Sequence, residues 1–252
     1  MKKIFILFFT YSLVLSNNFA QNIPELITDR PDQTESTALV PQGSLQVETG
    51  IVFSQTKVEG IFGDTNINEY SIFGTLFRYG LNNSFELRAG GGYFKTDADP
   101  LFNESGFGDF IIGTKYLLPV KNIDMALLAH LNLPVGNETY SPEKVEPELI
   151  LSAAKDLSEN ISLGINLGGN WDSVIEEVSF FYTAALGFGL NEKLGTFVEV
   201  YGNLKEELHN FDGGVTYLIS PNVQMDASAG INLNGEYTTW FLSSGISFRI
   251  PN

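Results

Sequence analysis

The sequence predicts an all-β fold, a transmembrane up-and-down antiparallel β-barrel of about twelve strands. Three observations lead to this prediction. Apolar and polar residues alternate with a period of two in about twelve segments, as they do in strands with one apolar and one polar face. Each segment has about ten residues, the length that a tilted strand needs to cross a bilayer. Tight turns alternate with longer loops along much of the chain, which is typical of outer-membrane barrels.

The clearest alternation lies in the segment 45–54, which we predict as the first strand. Val47 and Phe53 point to one side of it, whereas Gln46 and Glu48 point to the other. The same alternation recurs clearly in three further segments and more weakly in eight others: 84–94, 108–118 and 222–233, then 68–79, 123–133, 146–157, 161–170, 178–190, 194–202, 209–219 and 237–250.

One of these segments, 146–157, is ambiguous because Leu149 and Ala153 also stand at helical spacing. Pro147 argues against a helix there, since proline breaks the interior of a helix. We therefore predict a strand at this position.

The connections between the segments differ in length. The tight ones contain Asn, Pro, Gly or Ser, which favour turns, and they lie at 80–83, 119–122, 158–160, 191–193 and 220–222. The longer ones lie at 56–67, 95–107 and 134–145. This alternation predicts short turns at one rim of the barrel and longer loops at the other. Because the number of strands is even, both chain ends should lie at the rim with the short turns, on the periplasmic side.

The end of the chain also reads as a strand. Trp240, Phe248 and Ile250 continue the alternation to within two residues of the terminus. A closed barrel needs its last strand to pair with its first, because an open edge would remain unpaired. Phe248 resembles the insertion signal of outer-membrane barrels, which implies the barrel-assembly machinery as a partner, although four more residues follow it.

The start of the chain has the features of a secretory signal peptide. Lys2 and Lys3 form a charged beginning, an apolar run continues to Leu15, and Ala20 precedes a plausible cleavage site. A membrane-anchoring helix is the alternative, but the apolar run is too short to span a bilayer comfortably. We therefore expect export to the bacterial outer membrane, with outer-membrane lipid around the barrel. The expected organisation is a signal peptide at 1–20, an N-terminal periplasmic or plug segment at 21–43 and the barrel at 44–252.

The composition excludes several classes of protein. Acidic residues outnumber basic ones by 30 to 14, and the net charge of −16 argues against nucleic acid as a partner, because phosphate binding needs a basic face. The chain has no cysteine, which excludes disulfide scaffolds, thiol catalysis and thiolate metal sites. A hydrophobic content of 43% argues against disorder. A secreted soluble β-sandwich is an alternative fold, but it has no reason to alternate its connection lengths.

If the apolar face of the barrel meets lipid, the charged residues of the other face line the lumen. Two interpretations stay open, namely a polar conduit or solute-binding interior, and a network of ion pairs that fills a narrow barrel. About eight strands leave no channel and about sixteen leave an aqueous one, so this barrel lies between the two. The candidate lumen-lining residues are Arg78, Glu86, Arg88, Asp109, Lys115, His130, Glu148, Glu199, Asp212 and Asp226.

The segment 21–43 precedes the first strand and carries both acidic and basic residues. It is either a mobile periplasmic tail or a plug whose charges pair with those of the lumen. The candidate plug residues are Asp29, Arg30, Asp32 and Glu35.

The sequence contains no convincing catalytic or metal-binding motif. His130 and His209 are its two histidines, and neither accompanies the serine motif that an outer-membrane phospholipase would need. Asp64 opens a stretch that begins like an EF-hand loop but lacks the glycine and the final glutamate. We therefore expect no enzyme activity, no metal site and no cofactor. Loop acids such as Glu59 and Asp99 form either a solvated rim or loose sites for divalent cations.

Several short motifs resemble those of a known family. The most specific is Thr-Asp-Arg-Pro-Asp-Gln-Thr-Glu at 28–35, and it is accompanied by Val-Pro-Gln-Gly at 40–43, Gly-Phe-Gly-Asp at 106–109 and Leu-Pro-Val-Gly at 133–136. Nearly the whole mature chain resembles the outer-membrane transporter family that is named after the meta-pathway of phenol degradation, as found in Bacteroidetes-like bacteria. The resemblance implies passage of small, aromatic or apolar organic compounds.

The function that we expect is passive or facilitated transport of a small organic solute. One alternative is a non-transporting barrel that acts structurally or as a surface for interactions. Another is a lipid-modifying enzyme of the outer membrane. The predicted loops are modest in length, which favours transport over adhesion.

Overall fold

The computed structural model describes residues 24–59, 64–98, 101–141 and 144–252, so the predicted signal peptide lies outside the described residues. Within these ranges the chain forms thirteen strands and one short 3-10 helix, Glu138–Tyr140. The strands are β1 Leu45–Val58, β2 Thr65–Gly80, β3 Phe85–Ala98, β4 Phe102–Phe107, β5 Phe110–Leu118, β6 Asp124–Leu133, β7 Glu146–Ser158, β8 Ile161–Asp172, β9 Glu177–Gly189, β10 Leu194–Asn203, β11 Leu208–Ser220, β12 Val223–Asn232 and β13 Thr238–Ile250. No helix in the described ranges is long and apolar enough to cross a membrane.

Twelve of the strands close into an antiparallel barrel. Each pairs with the next strand of the barrel, and β1 pairs with β13 from Leu45 opposite Ile250 to Lys57 opposite Thr238. The predicted barrel, with its last strand paired to its first, is confirmed. The ambiguous segment forms a strand, β7, as predicted.

The additional strand, β4, corrects one prediction. The sequence predicts a loop at 95–107, which is wrong, because β3 and β4 together occupy nearly all of it. β4 pairs with the second half of β3 and β5 with the first half, so the two follow one another along β3 with Gly108 and Asp109 between them. The ring of Phe107 packs edge-on against Tyr93, with 5.3 Å between ring centroids. The four residues between the two phenylalanines of β4 are all polar or glycine, so the strand has no alternation of apolar and polar residues from which it could be predicted.

The connections fall at two rims. Turns of two to five residues join β2 to β3, β5 to β6, β7 to β8, β9 to β10 and β11 to β12, and they share a rim with the start of β1 and the end of β13. We call this the turn rim and the opposite one the loop rim. The first long connection is shorter than predicted, since β1 and β2 leave only 59–64 between them.

The barrel is polar inside and apolar outside. On β12, Gln224, Asp226 and Ser228 are buried, whereas Met225 is 49% exposed. Among the described residues, the largest fully buried side chain is that of Arg78. A soluble protein would bury its apolar residues and expose its charged ones. The apolar outer surface is therefore the one suited to lipid.

Candidate functional site in the barrel interior

Residues 24–43, the N-terminal segment, form a loop that occupies the interior of the barrel. Both of its ends are held at the turn rim. Arg249 near the end of β13 donates hydrogen bonds to the carbonyl oxygens of Pro24 and Glu25. The N–H of Gly43 donates to the carbonyl of Gly80 at the end of β2, at 2.7 Å. The segment therefore enters and leaves the interior at the same rim.

Carboxylates and one amide of the wall hold the backbone of this segment. An irregular segment has no ladder partner for its N–H groups, and buried N–H groups need acceptors. Glu48 Oε2 accepts two consecutive N–H groups at 2.9 and 3.1 Å, and Glu86 Oε2 and Glu199 Oε2 accept one each at 2.9 and 2.8 Å. Asn166 Oδ1 accepts a fifth at 2.6 Å. The N–H groups of Asp29 and Arg30 donate to Glu48, that of Val40 donates to Glu86, that of Gln33 to Glu199 and that of Glu35 to Asn166.

Asp29 is the centre of a buried network of ion pairs. Its carboxylate contacts Arg78 at 2.9 Å, Arg88 at 2.8 Å and Lys115 at 3.1 Å. These three cations lie on β2, β3 and β5, and all are buried. Glu35 forms a second link from the segment, with oxygens 2.9 Å from Arg88 and 3.7 Å from Lys115. The segment thus supplies anions to a part of the wall that is rich in cations.

The wall adds two carboxylates of its own to this network. Glu86 lies 2.8 Å from Arg78 and 3.3 Å from Arg88, and Glu48 lies 2.8 Å from Arg78. Together with the two acids of the segment, four carboxylates face three cations. Buried charges are tolerated when they are paired, and each charged group of this network has at least one oppositely charged partner.

Arg30 is held apart from that network, at the seam between β1 and β13. Its Nη2 donates to Asp226 Oδ1 at 3.0 Å and to Ser243 Oγ at 3.1 Å. Gly50 and Gly245 pair across the seam, and a side-chain carbon at either position would overlap the guanidinium group. The two glycines therefore leave a recess in the wall for this side chain.

The acids of β10 and β11 form a third group. Glu199 accepts a short hydrogen bond from the hydroxyl of Thr34, which also shares a hydrogen bond of 2.7 Å with Thr183. Asp212 is fully buried opposite Glu199 in the β10–β11 ladder. Asp32 lines a cavity that reaches the turn between β7 and β8.

The remaining candidates lie nearer the loop rim. His130 and Glu148 stand opposite each other on β6 and β7, with 2.9 Å between Nδ1 and Oε1. Asp109 lies at the break between β4 and β5 and accepts a hydrogen bond of 3.3 Å from the N–H of Gly136. His209, the other histidine, lies 3.0 Å from the hydroxyl of Tyr182. The candidates are therefore distributed over several groups and do not form one compact site.

Cavities lie between the segment and the wall in the described part of the chain, and three of them have about 370 to 530 Å³. The loop-side cavity has about 530 Å³, and the second, of about 420 Å³, shares Glu35 and Glu148 with it. The turn-side cavity has about 370 Å³ and reaches the turn between β7 and β8. The loop-side cavity has both apolar and polar walls, which include Leu76, Phe94, Ile111, Arg88, Asp109 and His130.

The barrel wall is irregular beside the loop-side cavity. The β2–β3 ladder breaks between Ile72 and Thr75, where Phe73 has a φ of 52° and is 69% exposed. The ladder from β3 to β4 and β5 omits Gly91 and Gly92. An apolar groove of about 610 Å³ on the outer face meets the cavity here, and the two share Thr75, Gly90, Gly91, Gly92 and Asp109.

Sequence reasoning missed several residues that hold the segment. Glu48 and Asn166 each lie between neighbours that point to the other, apolar face, Val47 and Thr49 on β1 and Ile165 and Leu167 on β8, so alternation could have identified them. Gly50 and Gly245 could not be identified in this way, because glycine inside a strand is also compatible with simple curvature.

Some loop acids are paired with lysines. Asp64 lies 2.6 Å from Lys57. Glu176 accepts a hydrogen bond of 2.8 Å from Lys144, which lowers the pKa of the Glu176 carboxyl. Asp99 lies outside the described residues. In the ranges that the structure describes, no group of three or more His, Asp or Glu residues is arranged to hold a metal ion.

The fold is shared with solved outer-membrane proteins. The COG4313 outer membrane channel from Pseudomonas putida F1 matches with a TM-score of 0.68 and 15% identity, over 89% of this chain and 100% of that chain. The KdgM porin in complex with disordered oligogalacturonate matches with a TM-score of 0.52 and 9% identity, over 81% of this chain and 98% of that chain. At these identities the likeness shows the fold, which is that of outer-membrane channels and porins.

No curated protein sequence matches the chain. A family profile does match, and the matched region, residues 28–250, includes most of the N-terminal segment as well as the barrel. The chain therefore belongs to the family described as "Putative MetA-pathway of phenol degradation".

Proposed function

We propose that this chain is an outer-membrane barrel that transports a small apolar or aromatic organic solute, with the N-terminal segment as a plug in its lumen. The single observation that carries the proposal is the loop-side cavity of about 530 Å³, which lies between that segment and the wall. Sites for small organic ligands have about 300–1,000 Å³ and combine apolar walls with a few polar groups. The cavity has this size and this mixture.

The apolar character of the solute is supported by the groove on the outer face. The groove and the cavity share three consecutive glycines, 90–92, which have no side chains to thicken the wall. Because the groove faces the lipid, a solute that partitions into the membrane can approach the cavity at this place. The family description, which names phenol degradation, agrees with a small aromatic compound.

The N-terminal segment stands between the loop-side and turn-side cavities, and its backbone and side chains bind to the wall on both sides. In this proposal the charged candidates of the wall line the lumen, and Asp29, Arg30, Asp32 and Glu35 belong to the plug. A solute that crosses the barrel needs the plug to shift. Both chain ends face the periplasm, lipid surrounds the wall, and the barrel-assembly machinery inserts the protein.

A second candidate function is a non-transporting structural barrel. The buried network around Asp29 favours it, because paired charges that fill a lumen stabilise a barrel without serving transport. Uptake by intact cells separates the two candidates, since a structural barrel leaves uptake unchanged.

Initial uptake of labelled toluene by Gram-negative cells that make the protein tests the proposal. We expect faster uptake than in cells that lack it. Leu76→Trp narrows the loop-side cavity and should reduce the increase. Leu87→Trp makes the same replacement on the outer face, where Leu87 is 46% exposed. This control variant should retain the faster uptake. Equal uptake with and without the wild-type protein contradicts transport.

A further inference from the structure

Arg30 occupies a special position relative to the interior cavities. The loop-side cavity and the turn-side cavity are lined by different parts of the barrel. Of the described residues that line them, Arg30 is the one that they share. Arg30 therefore stands between the two cavities.

The guanidinium group of Arg30 lies against Asp226, Ser243, Gly50 and Gly245, which we call its seat. These residues belong to three neighbouring strands. Asp226 on β12 and Ser243 on β13 accept the hydrogen bonds of Arg30, and Asp226 pairs with Gly245 in the β12–β13 ladder. Gly245 in turn pairs with Gly50 on β1. Glycine inside a strand weakens the strand and often marks a close approach of another group. Here the group that approaches both glycines is the guanidinium of Arg30.

The Arg30 side chain is also held by fewer carboxylates than those of Arg78 and Arg88. Arg78 contacts three carboxylates and Arg88 contacts three, and both side chains are at most 1% exposed. Arg30 forms an ion pair with Asp226, and its side chain is 19% exposed. Charge-assisted hydrogen bonds are the strong ones, and Arg30 makes them to one carboxylate, through Nε and Nη2, whereas Arg78 and Arg88 each contact three. The side-chain contacts of Arg30 are with Asp226 and Ser243, which do not belong to the network around Asp29.

We propose that Arg30 is the partition between the two cavities: in its seat the side chain closes the route, and when it leaves the seat the route opens. This inference rests on the proposed transport function and states which residue controls it. When Arg30 leaves, Asp226 faces the open route without its cation. The open state should therefore prefer cations, because a charged group along a permeation path selects ions of opposite sign.

Single-channel conductance of the full-length protein in planar bilayers tests the partition. Asp226→Asn is included in both main variants, so that neither leaves a buried carboxylate unpaired. Arg30→Ala with Asp226→Asn removes the side chain and should raise the conductance above the wild-type level. Arg30→Met with Asp226→Asn keeps a long side chain and should stay near the wild-type level. A wild-type conductance in the alanine variant, or equal conductance in both, overturns the proposal.

Thiol accessibility gives a second readout, in which Asp226 is kept and the charged reagent is a cationic one. The chain has no cysteine, so Asn132→Cys introduces a single thiol in the loop-side cavity. With Arg30 present, a charged thiol reagent should reach this cysteine from the loop side alone. With Arg30→Ala added, it should also react from the turn side. Reaction from both sides while Arg30 is present overturns the partition.

The two proposals fail in different ways. If wild-type cells take up toluene faster than cells without the protein but the Arg30 variants conduct like the wild type, the partition is wrong and transport stands. If wild-type cells show no added uptake while the alanine variant opens a conductance, Arg30 closes the lumen and the transport proposal is wrong.

Discussion

Arg78 and Arg88 stand directly opposite each other in the β2–β3 ladder, and Asp29 Oδ2 contacts both guanidinium groups, at 2.9 and 2.8 Å. Like charges at opposite ladder positions repel each other. Glu86 compensates part of this charge from within the wall. Asp29 supplies a further part from the N-terminal segment, so the segment and the wall depend on each other for stability.

The first prediction concerns this dependence. Asp29→Asn keeps the shape of the side chain but leaves Arg78, Arg88 and Lys115 with less compensation. Removing one partner of a buried ion pair costs about 3–5 kcal/mol, and we expect a loss of unfolding free energy toward the lower end of that range. Denaturant unfolding of the refolded barrel measures it. Asp124→Asn, at an exposed position at the start of β6, is the control and should change little. Equal effects would show that Asp29 does not stabilise the wall.

The second prediction concerns the lipid face. Val198 lies in the middle of β10 and is 40% exposed, whereas Leu204 lies in the following loop and is 54% exposed. An arginine on the lipid face costs about 2–4 kcal/mol at the midplane and much less near the interface. Val198→Arg should therefore reduce the amount of folded barrel in the outer membrane, and Leu204→Arg should leave it near the wild-type level. Equal assembly of the two variants would contradict the assignment of Val198 to the lipid face.

The third prediction concerns the end of the N-terminal segment. A side-chain carbon at Gly80 would overlap the backbone carbonyl groups of Val40 and Pro41, which cannot turn away as a flexible side chain can. Gly80→Ala should therefore displace this part of the segment and lower the free energy of unfolding by about 1–3 kcal/mol. Gly189→Ala is the matched control, because its new carbon meets only the Asn160 side chain, at 3.9 Å. Limited proteolysis of the segment checks the result, and equal resistance in both variants argues against close packing at Gly80.

The fourth prediction concerns orientation in the membrane. Glu138 is exposed at the loop rim and Asn83 is exposed at the turn rim. Because the chain has no cysteine, Glu138→Cys and Asn83→Cys each give a single thiol. A membrane-impermeant thiol label added to intact cells should react with the cysteine at 138 and not with that at 83. The reverse labelling would place the loop rim in the periplasm.

The strands could be predicted because the environment on the two sides of the wall differs so strongly. A residue that faces lipid must be apolar and its neighbour inside can be polar, so parity alone assigned Arg78 and Lys115 to the same face. β4 escaped prediction because its middle residues, Asn103 to Gly106, have no alternation. Cross-strand pairing with β3, including the contact between Tyr93 and Phe107, makes it a strand.

The path of the N-terminal segment could not be predicted in the same way. Its backbone is irregular, so its sequence has no period, and its position depends on contacts between residues far apart in the chain. Asp29 and Arg88 are 59 positions apart, and Arg30 and Asp226 are 196 positions apart. The sequence showed that the charges could be complementary, but it did not show which acid meets which base.

The most direct test of the central claim, that solute passes this barrel when the plug shifts, is to lock the plug in place. The hydroxyl groups of Thr34 on the segment and Thr183 on β9 are 2.7 Å apart, so cysteines at both positions can form a disulfide in a chain that has no other thiol. The measurement is the initial rate of toluene uptake by cells with the Thr34→Cys/Thr183→Cys variant, oxidised and then reduced. The account predicts wild-type uptake in the reduced form and a loss of the added uptake in the oxidised form. Wild-type uptake in the fully oxidised form would contradict it.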